Sequence, residues 1–577
     1  MKRYGKYIKP YLSAFIIGPC LMIVEVIGEI VLPKLMSGII NVGTIEGNVP
    51  YILRTGCLMI LTAVIMALGG IGGAYFAAKA SINFAADLRT DAFRKVQRFS
   101  FANIDKFSTG SLVTRLTNDV TQVQNLINMA LRMMLRAPGM LIGAVIMAFL
   151  INKKLALVIV IVVPIIIVTT VIVIKLAFPR FQALQGKIDK LNSTIRESLQ
   201  NVRVIKSFVR DDYEQKRFKD ANEDLMDTGL RAFKVMITVG PLMGLAMNFT
   251  TLAVVWFGGK QIIIGEMMVG DLTAFITYVT QILFSLIMVS MVVLQSSRAI
   301  ASAKRINEVL DCDIDLTDDN CKMPDKLVES GAVRFEDVSF RYYKESGEPV
   351  LNKISFDIAS GETVGIIGST GSGKTTLVQM IPRLYDPDEG RVFVDGVDVK
   401  YYSLKNLRDG VSMVLQKNVL FSGSIEENLM WGDDYASHED VVNVAKLAQA
   451  DGFVTSFEEG YETSLGQGGV NVSGGQKQRL CIARAMLKKP KILILDDSTS
   501  AVDTATEAEI RKNLKAFCPE TTKIIIAQRI SSVIEADKII VIDEGEIVGI
   551  GKHEKLMESC DAYKEIYYSQ MDKEVTQ

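Results

Sequence analysis

The chain is poor in histidine. Only His438 and His553 occur in 577 residues, neither near another obvious ligand, so a histidine-rich metal site is not expected. Its seven cysteines (Cys20, Cys57, Cys312, Cys321, Cys481, Cys518 and Cys560) show no CxxC spacing, so they read as reduced structural thiols rather than a disulfide or metal framework. Neither sign of charge is in excess: 64 Lys and Arg stand against 65 Asp and Glu, a net charge of −1, and nothing in that balance points to nucleic acid. What remains is apolar. A hydrophobic fraction of 49% with a mean hydropathy of +0.26 is high for a soluble protein, and 577 residues exceed one ordinary domain.

The apolar excess sits in the first 300 residues. Uncharged runs at 55–78, 155–174, 235–259 and 272–297 each reach the roughly 20 residues that a membrane-spanning helix needs. Two further spans are less clean. Residues 11–35 contain Glu25 and Glu29, and 137–152 is short enough that it must borrow the preceding turn around 129–136. The count is therefore six spans, in an all-α membrane domain covering 1–310.

Lys2, Arg3, Lys6 and Lys9 precede an apolar run in the manner of a signal peptide, but the apolar character continues past Glu25 and no small-residue cleavage site is clear. Those four charges instead place the N-terminus in the cytoplasm, and the basic segments 79–136 and 175–234 with it. Short connections at 43–54 and 260–271 then lie outside. Lys153 and Lys154, in the outer turn between spans three and four, count weakly against this topology.

Character changes at the acidic, aperiodic stretch beginning with Asp311, which reads as a linker over 311–332. From Val333 to the end, short strand-like runs alternate with helical patterns, as in an α/β domain covering 333–577. In it, 363–367 reads as a buried strand and 374–384 as a helix. Between them lies Gly368-Ser369-Thr370-Gly371-Ser372-Gly373-Lys374-Thr375-Thr376, a P-loop. Its glycines let backbone N–H groups turn toward phosphate oxygens at a helix N-terminus, Lys374 neutralises β/γ charge, and the Thr375 hydroxyl suits Mg²⁺. Leu493-Ile-Leu-Asp496 is a strand ending in a carboxylate, the second half of the Mg²⁺ site of P-loop enzymes. Ahead of it, Ser473-Gly474-Gly475-Gln476 opens a helix over 476–487 and aims backbone donors and a positive helix end outward at an anion.

P-loop, Ser473–Gln476 and Asp496, in this order and behind a six-span domain, make residues 1 to about 570 resemble the half-transporters of the ABC exporter type. That resemblance implies ATP and Mg²⁺ as cofactors and a lipid bilayer as surroundings. By it, Tyr342 would stack on adenine, with Tyr343 as the competing candidate, and Gln416 would touch Mg²⁺ or water and sense the membrane domain. Ser500-Ala501-Val502-Asp503 looks like the loop that crosses to a second cassette, and 101–120 and 201–208 look like the two cytoplasmic coupling segments. Each ATP would lie between the P-loop of one cassette and the signature of another, so two half-transporters are required.

Two positions depart from the family pattern. Asp497 stands where the family generally has Glu, which draws the carboxylate back by about 1.5 Å, one C–C bond; a misplacement of ~1 Å can cost on the order of 100-fold in rate. Gln528 stands where a switch histidine is usual and can neither carry its charge nor shuttle a proton. Gln467 also replaces a common glutamate before the signature. Asp497, Gln528 and Gln416 are nevertheless the expected catalytic positions. With Ser473–Gln476 intact, these departures imply a heterodimer in which this chain's P-loop forms a degenerate site and its signature completes the partner's hydrolytic one. The expected activity is ATP-driven export of small amphipathic or hydrophobic compounds, drugs favoured and cations among them, from a bacterial plasma membrane. A lipid flippase and an ATP-gated channel or regulator are the alternatives. Glu25 and Glu29 share one helix face and are expected either to meet cationic substrate or to pair structurally.

Overall fold

The computed structural model describes residues 4–342, 348–498 and 502–575. They divide into two compact units, Met1–Gln97 with Gly110–Asp311, and Arg98–Thr109 with Cys312–Gln577.

In the first unit, six helices among the described residues are long and apolar enough to cross a membrane: Gly5–Thr44, Val49–Gln97, Thr109–Ile151, Lys153–Gln200, Asp211–Ile264 and Val269–Val289. The last continues as helix to Leu310. Both weaker sequence spans are helical. The third does borrow from its preceding turn: helix over Val120–Met133 and helix from Arg136 are joined through Met134 and Leu135, which keep helical angles. At 1.5 Å per residue the fourth and fifth helices, of 48 and 54 residues, extend for roughly 70 and 80 Å, far beyond a ~30 Å hydrocarbon core. Their polar ends are joined by a short helix, Val202–Ser207, inside the expected second coupling segment.

Spans one and two meet through small residues. A Cβ on Gly69 would stand 3.0 Å from the Leu21 carbonyl oxygen, and one on Gly73 3.2 Å from that of Gly18, so backbone approach requires glycine there. Where the third and sixth helices meet, Asp119 is 1% exposed, and Arg305 and Ser302 both bond its carboxylate. A buried carboxylate is tolerated because it is paired and fully bonded.

Besides a two-stranded ribbon of Gly423–Ser424 with Ser464–Leu465, the second unit is built on two larger sheets, whose strands are numbered β1 to β10. The strands are β1 (Val333–Phe340), β2 (Leu351–Ile358), β3 (Thr363–Gly368), β4 (Glu389–Val394), β5 (Val397–Asp398), β6 (Val411–Val414), β7 (Ile492–Asp496), β8 (Thr522–Ile526), β9 (Lys538–Asp543) and β10 (Glu546–Gly551). One sheet is antiparallel, in the order β2-β1-β4-β5. The other runs β10-β9-β3-β8-β7-β6, parallel except for the edge strand β10. Every residue of β7 is buried, as expected of a parallel strand covered on both faces.

Residues 98–109, read from sequence as part of the first domain, pack with the second unit. Helix α1 (Phe101–Lys106) is closed by a capping box between Ser100 and Asn103. It is anchored by Ser100 to Asp315, by Asn103 to the Asp313 carbonyl at 3.0 Å, and by the Tyr385 hydroxyl donating to Asp105 at 2.7 Å. The first coupling segment is therefore divided between the two units. The P-loop helix also differs from expectation: α2 covers only Lys374–Gln379, not 374–384. Pro382 disfavours helical geometry at the residue before it, and Arg383 turns left-handed at φ 51°.

Candidate nucleotide site

Parallel β-sheets present their ligand-binding loops at the carboxyl ends of the strands. Here β3, β8, β7 and β6 are neighbours, and each ends at a residue group singled out by sequence. β3 runs into Gly368 and the P-loop, β7 ends at Asp496 with Asp497 following, β8 is followed by Gln528, and β6 by Gln416. Register brings Asp496 beside Ile526. Four loops distant in sequence thus open at one edge of one sheet.

Gly371 and Gly373 adopt φ of 87° and 93°, conformations that a side chain rarely tolerates, and at Gly373 a Cβ would also lie 2.8 Å from the Val350 carbonyl oxygen. The loop this makes runs Gly368, Ser369, Thr370, Gly371, Ser372, Gly373, and α2 begins at Lys374. Lys374 folds back over it, donating to the carbonyls of Gly368 at 2.9 Å and Ser369 at 2.6 Å. Burial pulls its ammonium pKa down, and the charges of Asp496 and Asp497 oppose that. An anion in the loop would supply the missing negative charge. Ser369 Oγ donates to Asp543 at 3.0 Å, a partner that the sequence did not suggest.

Thr375 Oγ1 donates to Asp496 Oδ1 at 3.0 Å. The other oxygen, Asp496 Oδ2, is buried and has no hydrogen-bond partner among the described residues. Burial raises the Asp496 pKa, assisted by the neighbouring Asp497 charge; Thr375 and Lys374 offset it. A hydroxyl beside a carboxylate with one unused oxygen is a hard-oxygen donor set that fits Mg²⁺. Thr375 and Asp496 would hold the ion, which would supply charge neutralisation at phosphate oxygens.

Asp497 sits in a left-handed conformation, φ 47°, immediately after β7. Gln528 Nε2 donates to its Oδ2 at 2.7 Å, and Gln416 bonds the same carboxylate. Burial raises the Asp497 pKa while these two amides lower it. The loop carrying Gln528 is held from behind by Gln570 of helix α4 (Asp561–Val575), which donates to the Gln528 carbonyl at 2.8 Å and accepts from the Ile530 amide at 2.9 Å. Sequence carried no signal for Gln570: a lone glutamine near a C-terminus has no distinguishing pattern.

Tyr342 lies at the other side of α2, its hydroxyl 2.9 Å from Thr376 Oγ1 and its ring edge-on to Tyr385 at 5.4 Å. It is 43% exposed, so its free surface can accept a flat ring. Tyr343, Ser500 and Ala501 lie outside the described residues.

The second motif stands on a different hydrophobic core, that of the helices around Leu429, Val444 and Leu480. Ser473 caps α3 (Gly474–Leu487) in a reciprocal box, Gln476 N to Ser473 Oγ at 3.3 Å and Ser473 N to Gln476 Oε1 at 2.8 Å. The helix starts two residues earlier than expected because this box closes its first turn. Beside it opens a cleft of about 390 Å³ lined by Ser473, Gly474, Gly475, Arg479, Val502 and Asp503. The cleft is polar, and the helix end that faces it favours negative charge.

Known proteins match both units. Residues 15–286 match the ABC transporter transmembrane region, and residues 351–500 match the ABC transporter family. The uncharacterized ABC transporter ATP-binding protein YfiB of Bacillus subtilis (strain 168) is 39% identical over 100% of this chain and 99% of its own. The putative multidrug export ATP-binding/permease protein YgaD of the same strain is 33% identical over 98% of each chain. The ATP-dependent lipid A-core flippase of Desulfotalea psychrophila (strain LSv54 / DSM 12343) is 32% identical over 84% of each. Among solved structures, a bacterial Atm1-family ABC exporter with ATP bound superposes with a TM-score of 0.78 at 26% identity, covering 97% of this chain and 98% of that one. The chain belongs to the ABC transporter family, as a multi-pass membrane protein with six apolar helices followed by an ATP-binding domain, in the Atm1-family exporter fold.

Proposed function

We propose that this chain is one half of a heterodimeric ATP-driven exporter and carries its hydrolysis-impaired site. The observation that carries the reading is the 2.7 Å bond from Gln528 to Asp497. In it the residue placed to activate water is the shorter acid, and one of its oxygens is already engaged by an amide that cannot take up a proton. Gln416 engages the same carboxylate, so two amides hold the group in place. ATP would be held by Tyr342, by the loop from Gly368 to Thr376 and by Lys374, with Mg²⁺ on Thr375, Asp496 and Gln416. Ser473, Gly474, Gly475 and Gln476, with the cleft beside them, would close over the nucleotide held by the partner half-transporter.

In this reading ATP binding draws the two cassettes together, 101–120 and 201–208 pass the closure to the spans, and hydrolysis mainly at the partner's site resets them. The N-terminus and the cassette lie in the cytoplasm of a bacterial cell. The cargo is a small amphipathic or hydrophobic compound, drugs included. The name borne by YgaD and the adaptable apolar surface of methionine-rich spans support that class. The name of the Desulfotalea psychrophila relative favours lipid as the second reading. ATP-driven uptake of a fluorescent phospholipid or of an amphipathic dye into inverted vesicles separates the two, and absence of vectorial transport of either would support a channel or regulator.

The stoichiometry has its own test. Expressed and purified alone, the chain is expected to hydrolyse ATP on the order of 100-fold more slowly than the assembled pair, since a homodimer holds two copies of the Asp497/Gln528 site. Robust ATPase activity coupled to transport by the homodimer overturns the heterodimer.

A further inference from the structure

The first span carries Glu25 and Glu29 on a largely apolar helix whose remaining charge, Lys34, pairs with Asp271; both glutamates meet Arg136 of the third span. Arg136 Nη2 lies 2.6 Å from Glu29 Oε1 and 3.2 Å from Glu25 Oε1. Gln281 of the sixth span joins them, donating its amide to the Glu29 carbonyl oxygen at 3.0 Å. From the second span, Gly70 leaves room for the carboxylate: a Cβ there would stand 3.2 Å from both oxygens of Glu25. Four spans thus converge on one polar group. Glu29 and Arg136 each stand fifteen residues before the end of their helices at Thr44 and Ile151, roughly 22 Å at 1.5 Å per residue, so they lie at one level.

The group is not balanced. Two carboxylates face one guanidinium, leaving an excess of one negative charge. Hydrogen bonding is equally incomplete: among the described residues Glu25 Oε2, Glu29 Oε2 and Gln281 Oε1 are shut from solvent without a partner, as is one donor nitrogen, Arg136 Nε. An ion pair serving structure alone needs one carboxylate and satisfied acceptors; charges inside a membrane are otherwise costly and mark a pathway or a ligand. The backbone keeps helical angles through Met134 and Leu135, just ahead of Arg136, so the third span carries the guanidinium on a continuous helix.

We propose that Glu25, Glu29 and Gln281, oriented by Arg136, form an intramembrane site for the protonated nitrogen of an amphipathic amine. An ammonium brings one positive charge and several N–H donors to the three waiting acceptors. Apolar packing between the spans borders the group, with Met66 against Gly28, Val26 against Gly139 and Ile30 against Gly143. An alkali ion shares the charge but brings no N–H donors to the acceptors. The inference names the cargo class of the proposed exporter and rests on that reading. Its test involves neither transport nor hydrolysis, so the two can fail separately.

The test is equilibrium binding of monodansylcadaverine, a fluorescent alkylammonium, and of its uncharged N-acetyl derivative to the nucleotide-free full chain, assembled with its partner in lipid nanodiscs. The wild-type protein is expected to prefer the amine by about tenfold or more, and Glu25→Gln and Glu29→Gln each to remove most of that preference while leaving the N-acetyl compound within about twofold. Gln281→Leu, which deletes a neutral acceptor, is expected to weaken the amine by about threefold. Replacing choline chloride by sodium chloride leaves the amine's affinity unchanged. Equal wild-type affinity for the two compounds overturns the proposal without any variant. So does a parallel loss of both compounds in the Gln variants, or displacement of the amine by sodium, which would make this an alkali-ion site.

Discussion

Gly475→Asp in the assembled heterodimer is expected to abolish ATPase activity and transport, while Lys374→Ala in the same chain lowers ATPase activity only in part. The ranking is the reverse of what an ordinary P-loop enzyme would show, and it follows from the division of labour between the two sites. Gly475 lies in the first turn of α3 and lines the polar cleft with Ser473, Gly474 and Arg479. An aspartate there brings a negative charge to the place where, in the proposed assembly, this chain's signature meets nucleotide bound by the partner. Loss of donor electrostatics aimed at a transition state commonly costs on the order of 100-fold in rate, and like-charge repulsion adds to it. Lys374 by contrast serves this chain's own P-loop, where it is folded onto the Gly368 and Ser369 carbonyls. Removing it weakens nucleotide binding at a site whose turnover is already slow. Steady-state phosphate release from reconstituted complexes, with assembly verified by size-exclusion chromatography, decides the matter. If Lys374→Ala is the more damaging of two folded variants, the assignment of degenerate and hydrolytic sites to the two chains is wrong.

Restoring the missing chemistry should work in the opposite direction. Asp497→Glu combined with Gln528→His is expected to raise turnover at this chain's site on the order of 100-fold, because glutamate extends the carboxylate by one methylene and imidazole can carry a charge and a proton. The combination is needed: glutamate alone stays within reach of the Gln528 amide, which now bonds Asp497 Oδ2 at 2.7 Å. The loop that carries position 528 should remain in place through the substitution, since Gln570 holds its backbone carbonyl rather than its side chain. The readout is ATP hydrolysis by complexes in which the partner's site has been silenced through Gly475→Asp in this chain. No increase over the Asp497/Gln528 background would mean that these two residues are not what impairs the site.

How much of this was readable beforehand varies with the distance over which each feature is decided. The P-loop was legible because its glycines are demanded by local backbone geometry: Gly371 and Gly373 need positive φ whatever the rest of the chain does. The Ser473 cap is likewise settled within four residues, by its bonds with Gln476. The spans could be counted from length and hydropathy alone, since a bilayer has a fixed thickness and backbone groups inside it must be satisfied within the helix. The third span's apolar run was visibly too short to cross by itself, which is why it had to borrow the turn before it.

Features made by pairing remote residues were not legible. Glu25 and Glu29 could be recognised as carboxylates within an apolar span, yet nothing near them in sequence identified Arg136, more than 100 positions away, or Gln281. The end of α2 at Gln379 depended on how the chain turns at Pro382 and Arg383, and the allegiance of residues 98–109 depended on Tyr385 and Asp105, 280 positions apart. Sequence by itself determined that this chain is a six-span membrane domain followed by a P-loop domain, and it named Asp497 and Gln528 as the departures. Only tertiary structure decided that those two side chains bond each other across the ends of β7 and β8, and that two intramembrane glutamates share one arginine. Motifs and spans are set by backbone conformation and apolar length, which are local properties. Side-chain partners are set by packing, which exists only once distant helices and strands have met.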